Sequence, residues 1–143
     1  MARPYLGGTN GAIKSVTANT SLTVADSGKL IVLDGSGVED AVLAVTLPAC
    51  SDAKGCVYDF VLKAIGNEAA EDIEIVTASG SDDYVGCIVD GAGTSDTATD
   101  SDTKIIFDQS GGATAGEWVQ IISDGTDWYV KGLCNTAGDV VFG

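Results

Sequence analysis

The chain has 143 residues, 45% of them apolar, with 21 acidic against 7 basic side chains and a formal charge of −14. That apolar content excludes a disordered chain, while the acidity repels phosphate backbones and anionic bilayers and so sets nucleic acid and membrane aside as partners. The length suits one domain, able to bury roughly 68–70% of its unfolded surface.

In chain order, residues 1–12 ("MARPYLGGTNGA") are expected to form an extended, flexible arm ahead of a single β domain over 13–143. The opening carries no apolar h-region, and cytoplasmic synthesis is the expectation. No apolar run approaches the roughly 20 residues of a membrane span. "SLTVADSGKLIVLD" reads as a hairpin, with Leu22 and Val24 on one arm, Leu30 and Val32 on the other, and "ADSG" between. "AVLAVTLP" follows with Leu43, Val45 and Leu47 on one face, and Pro48 ends it by removing a ladder donor. "CVYDFVLKAI" alternates Tyr58, Phe60 and Leu62 inward with Asp59 and Lys63 outward, although Val57 and Val61 share the outward side. "AIGNEAAEDIE" is the single stretch of helix formers, and it is short. "DIEIVT", "YVGCIVDGAG", "TKIIFDQ" and "DVVFG" read as further strands. The 19 glycines against two prolines supply tight turns between them. About nine or ten strands at this spacing predict an all-β fold, an antiparallel β-sandwich or jelly-roll-like barrel.

The acidic segment "DGAGTSDTATDSD" (residues 90–102) has no core-forming side chain and is expected to be a mobile surface loop. Asp96, Asp100 and Asp102 offer hard oxygen ligands of the kind calcium takes, but EF-hand spacing is missing and a solvated loop is the reading adopted. The chain has no histidine, which removes Ser-His and Cys-His catalysis. Carboxylate pairs are uninformative among so many acids, and no phosphate-binding loop is present. Cys50, Cys56, Cys87 and Cys134 lack the paired spacing of a zinc site. Buried free thiols are expected, with a Cys50–Cys56 bridge as the alternative. The expectation is a non-enzyme with neither cofactor nor metal.

"EWVQIISDGTDWYVKG" (residues 117–132) holds both tryptophans. Alternation puts Trp128 and Val130 on one face, with Tyr129 and Lys131 on the other. Val119 and Ile121 share one face of the first arm, and Trp118, Gln120 and Ile122 the opposite one. Rings set between β-branched neighbours favour core or subunit contact over ligand stacking.

The layout over about residues 20–132 resembles β-rich virion proteins of tailed bacteriophages. The elements that carry the likeness are Thr46-Leu47-Pro48, the Ile73 to Ile75 strand, Ile88 to Gly91, and above all the Val119 to Val130 hairpin around "ISDGT". The most similar class is the capsid decoration (cement) protein, and a short chain opening on its own methionine suits that class better than a tail fibre. The four cysteines depart from it. The resemblance implies a homotrimer on the outer capsid surface, in contact with the major capsid protein, that stabilises the shell of a virion. Such cementing needs contact area, for which Arg3, Tyr5 and Leu6 of the arm and Val57, Val61, Trp118 and Ile122 of the strands are the candidate interface residues. The alternative is a tail-associated glycan-binding domain, which predicts an exposed ring at Trp118, Tyr129 or Tyr84.

Overall fold

A computed structural model describes residues 12–38, 41–67, 71–99 and 101–143. Alternating apolar side chains build twelve strands among these residues, together with two single turns of 3-10 helix and no α-helix. The strands are β1 (Ile13–Val16), β2 (Thr20–Ser21), β3 (Leu30–Asp34), β4 (Leu43–Thr46), β5 (Val57–Ala64) and β6 (Ile73–Val76) in the first half. The second half adds β7 (Tyr84–Val89), β8 (Ser95–Thr97), β9 (Lys104–Phe107), β10 (Trp118–Ser123), β11 (Trp128–Leu133) and β12 (Val140–Phe142).

The strands form two sheets that share one core, an all-β sandwich as the alternation predicts. The seven-stranded sheet runs β1-β3-β5-β10-β11-β7-β8, with β10 at its centre, and the five-stranded sheet runs β12-β9-β6-β4-β2. Val16, Ile31, Leu33, Tyr58, Phe60, Leu62, Val119, Ile121 and Trp128 face inward from the larger sheet. They meet Leu43, Val45, Ile73, Ile75, Ile105, Phe107 and Val140 from the smaller one. Each such side chain contributes about 1.5–3 kcal/mol by leaving water. The sheets are also stitched by a hydrogen bond, as the buried Tyr84 hydroxyl donates to the Ile75 carbonyl at 3.1 Å.

Pairing departs from the antiparallel expectation. β1, β3 and β5 are parallel neighbours in one sheet, and β2, β4 and β6 are parallel neighbours in the other. The first six strands alternate between sheets, so each parallel connection crosses through a strand of the opposite layer instead of a helix. Antiparallel pairing is confined to β5-β10, β10-β11, β7-β8, β6-β9 and β9-β12.

Two local expectations are corrected. "SLTVADSGKLIVLD" is not a hairpin, because β2 and β3 belong to different sheets and a 3-10 turn over Val24–Asp26 carries the chain between them. Asp26 is the reason. Its carboxylate accepts from the Thr23 backbone N–H at 3.0 Å and from Lys14 and Lys29 at 2.9 and 2.7 Å, fixing the turn and drawing β1 onto it. Ile31 and Leu33 then point inward, while Leu30 is exposed and Val32 half-buried, the reverse of the expected arm. The segment 90–102 is not a bare loop either, since β8 lies within it and pairs with β7. A glycine is obligatory beside it: Gly86 sits at φ +146°, where a Cβ would lie 1.9 Å from the Val130 carbonyl oxygen.

Candidate interaction face

Val57, Val61, Trp118 and Ile122 sit on adjacent strands at outward positions, and the register joins them in pairs: Val61 opposite Trp118, Val57 opposite Ile122. Following the register outward gives rows across the outer face of the seven-stranded sheet. One row reads Ser15, Val32, Val61, Trp118, Leu133, Val89, Ser95 from edge to edge. A second reads Val57, Ile122, Tyr129, Val85. Between them lies a polar belt of Asp59, Gln120 and Lys131, flanked by Leu30 and Cys87.

These side chains are open to solvent to different degrees. Tyr129 is 44% exposed and Leu133 48%, Ile122 and Val85 are exposed too, and Trp118, Val57 and Val61 are half-buried. Isolated surface apolars need no explanation, but a contiguous patch rimmed by polar groups marks an interaction surface. Charge is distributed to match. Outward positions of the strands carry two acids, Asp34 and Asp59, balanced by two lysines, Lys63 and Lys131, so the acidic excess of the chain is held off this face. Gln120 Nε2 donates to Asp59 Oδ1 at 2.7 Å and Lys63 is ion-paired with Asp34 at 2.6 Å. Lys131 takes part in none of the four ion pairs among the described residues.

The hairpin that supplies the centre of the face is fixed by its turn. Asp124 Oδ1 accepts from the backbone N–H groups of Thr126 and Asp127 at 2.7 and 2.9 Å, and Gly125 takes φ +96°. Ser123 anchors the same turn from below, accepting from the Gly125 N–H and donating to the Cys50 carbonyl. Trp128 is thereby buried against Tyr58, ring centroids 5.9 Å apart, and Trp118 lies on the opposite surface.

Of the rings that a glycan platform would use, Tyr84 is excluded by burial, and Tyr129 stands exposed with its hydroxyl donating to Asp124. Arg3, Tyr5 and Leu6 lie outside the described residues. The alternation around Trp118 and Ile122 showed the centre of the face. It missed Leu30, Val32, Leu133 and Val85: "KLIVL" is apolar at every outward and inward position, so period two could not choose its face, whereas the run Tyr129, Lys131, Leu133 was readable.

Other chemistry-bearing groups are already occupied. Asp90 Oδ1 accepts from the Ala92 and Thr94 N–H groups, Asp96 from Phe142 and Asp102 from Thr99, so these carboxylates close turns and strand ends. Asp100 lies outside the described residues, and among the described ones no three His, Cys, Asp or Glu side chains are grouped to hold a metal ion. A cleft of about 220 Å³ between β7, β8 and β12 is lined by Ile88, Asp90, Asp96, Cys134 and Val140 among others. The four cysteines are free thiols, three of them buried, and burial raises the Cys50 and Cys134 thiols above their ordinary range.

Glu117 and Asp139 are two neighbouring buried carboxyls, each 2% exposed. Asn135 N–H donates to Glu117 Oε1 at 3.2 Å and Thr136 N–H to Asp139 Oδ2 at 2.8 Å. Glu117 Oε2 is buried without a hydrogen-bond partner among the described residues. Burial, reinforced by Asp139, pushes Glu117 up to about 7 against the Asn135 bond. Closed off from solvent, the pair does not present the accessible acids a glycosidase uses.

No family model matches this chain, and no curated protein or solved structure matches it either.

Proposed function

We propose that the chain is a structural virion protein that works on the outer surface of a capsid as a homo-oligomer, a trimer by its likeness to decoration proteins, binds the major capsid protein and strengthens the shell. The observation that supports this reading is the outer face of the seven-stranded sheet, where two apolar rows stand uncovered on an otherwise acidic chain. A cement acts through buried area, at about 25 cal/mol for each Å² of apolar surface removed from water. A flat face of half-exposed Val, Leu, Ile and Trp side chains suits that task.

The test adds purified protein to undecorated shells and measures the temperature at which they rupture. Saturable binding and later rupture are expected, and Trp118→Asp should abolish both while the isolated protein keeps its cooperative melt. Shells that rupture at the same temperature with and without the protein end this reading.

A second reading, a tail-associated glycan-binding domain, is favoured by the exposed Tyr129 ring on the same sheet face as the half-buried Trp118, across the polar belt from it. It predicts quenching of Trp118 fluorescence by host polysaccharide, and loss of that response in Tyr129→Ala.

A further inference from the structure

We infer that the outer face of the seven-stranded sheet pairs with the same face of a second copy, about a two-fold axis that lies along β10 in the plane of the contact. The inference rests on reading this face as an assembly surface and names what covers it.

Four considerations converge. First, β10 is the fourth of seven strands, so rotation about it carries the sheet onto itself: β5 falls opposite β11 of the second copy, β3 opposite β7, and β1 opposite β8. Second, rows are preserved by that rotation, and the only unlike charges in the polar belt meet. Asp59 of β5 and Lys131 of β11 are in one row, one strand to either side of Gln120. Each Asp59 therefore faces the second copy's Lys131, twice per contact. A two-fold axis laid across the strands instead sets Asp59 against Asp59 and Lys131 against Lys131, which electrostatics rejects. Third, the apolar rows match under the same operation. Trp118 and Ile122 meet their own copies, Val61 meets Leu133, Val57 meets Tyr129, and Val32 meets Val89. Fourth, the strand axes of the two faces stay within about 30° of one another, the geometry in which sheets stack about 10 Å apart.

Net charge is not an obstacle. Of the 21 acids, the outward positions of these strands hold Asp59 and Asp34, the latter neutralised by Lys63, and repulsion between charges elsewhere is screened over about 8 Å at physiological salt. Self-complementarity of this kind is the signature of an isologous contact. Because such a contact closes on two copies, the pairing belongs to the free protein: on the shell the same face turns to the capsid protein, and a three-fold assembly there uses another surface.

Analytical ultracentrifugation of the full chain tests this, with charge reversals. The wild type should sediment at twice the mass of one chain. Asp59→Lys and Lys131→Asp each convert both belt pairs to like charges and should weaken the dimer roughly a hundredfold; the double variant Asp59→Lys/Lys131→Asp should restore it. A wild type that is monomeric or trimeric at every concentration overturns the inference, as does a double variant that stays as weak as the singles. Iodide quenching of the unmodified protein gives a reading independent of mutant folding. Trp128 is buried, so the quencher reports Trp118; quenching should rise as the protein is diluted, and concentration-independent quenching counts against the pairing. Shell rupture separates the two ideas: a dimer without effect on shells removes the proposed function alone, and a shell-stabilising monomer removes the pairing alone.

Discussion

At the scale of single residues, protonation of buried carboxyls sets the pH range in which the protein is most stable. Glu117 has a folded pKa near 7, above its unfolded 4.5. Its contribution is fully present below about pH 4.5 and is lost as pH rises through 7, in total roughly 3 kcal/mol. Asp139, the charged neighbour that acts on it, is itself an acid and reinforces the shift. Asp26 and Asp34 behave in the opposite sense. Burial would raise Asp26, but the bonds from Lys29, Lys14 and Thr23 outweigh it and hold it well below the carboxylate range. Asp34 is lowered by Lys63 and then Ser36. Their contributions exist above the unfolded pKa near 4 and vanish as pH falls further. Denaturant midpoints measured from pH 3 to 9 should therefore peak between about pH 4 and 5. Glu117→Gln should flatten the alkaline limb, and a limb unchanged in that variant assigns the pH dependence to another group.

Among the elements, inward positions were legible wherever alternation was clean. Tyr58, Phe60, Leu62, Val119, Ile121, Ile73 and Ile75 are all buried as "CVYDFVL", "WVQII" and "IEI" require. Strand partners were not legible, because period two fixes a face and carries no information on the neighbouring strand. The "ADSG" segment misled for a physical reason: Asp26, read as a turn former, instead ties Thr23, Lys14 and Lys29 and sends the chain to the other sheet. Gly86 was equally silent, since its necessity comes from the Val130 carbonyl of a strand more than forty residues away. Gly86→Ala should cost about 3 kcal/mol or more by prising β7 from β11. A wild-type denaturation midpoint for that variant would mean the strands shift at little expense.

For the whole molecule, composition and periodicity were enough for an all-β fold, and the aromatic hairpin was enough to locate the middle of the apolar outer face of the larger sheet. The full extent of that face was not, because its rows are assembled from strands spread over residues 13 to 133 and become continuous only through register. The mixed topology also fixes the order in which the protein can come into being. β10, the central strand of the larger sheet, lies at residues 118–123. Until the ribosome has delivered it and β11 after it, nothing joins β1-β3-β5 to β7-β8, and the sheet exists at best as two separate pieces with apolar surfaces bare. Folding is thus expected to be largely post-translational and slow for the chain's size, as long-range pairing demands. A nascent chain stalled before residue 118 should remain protease-sensitive and prone to clump. The interval between synthesis of the last strands and closure of the sandwich becomes the moment of greatest exposure to misassembly.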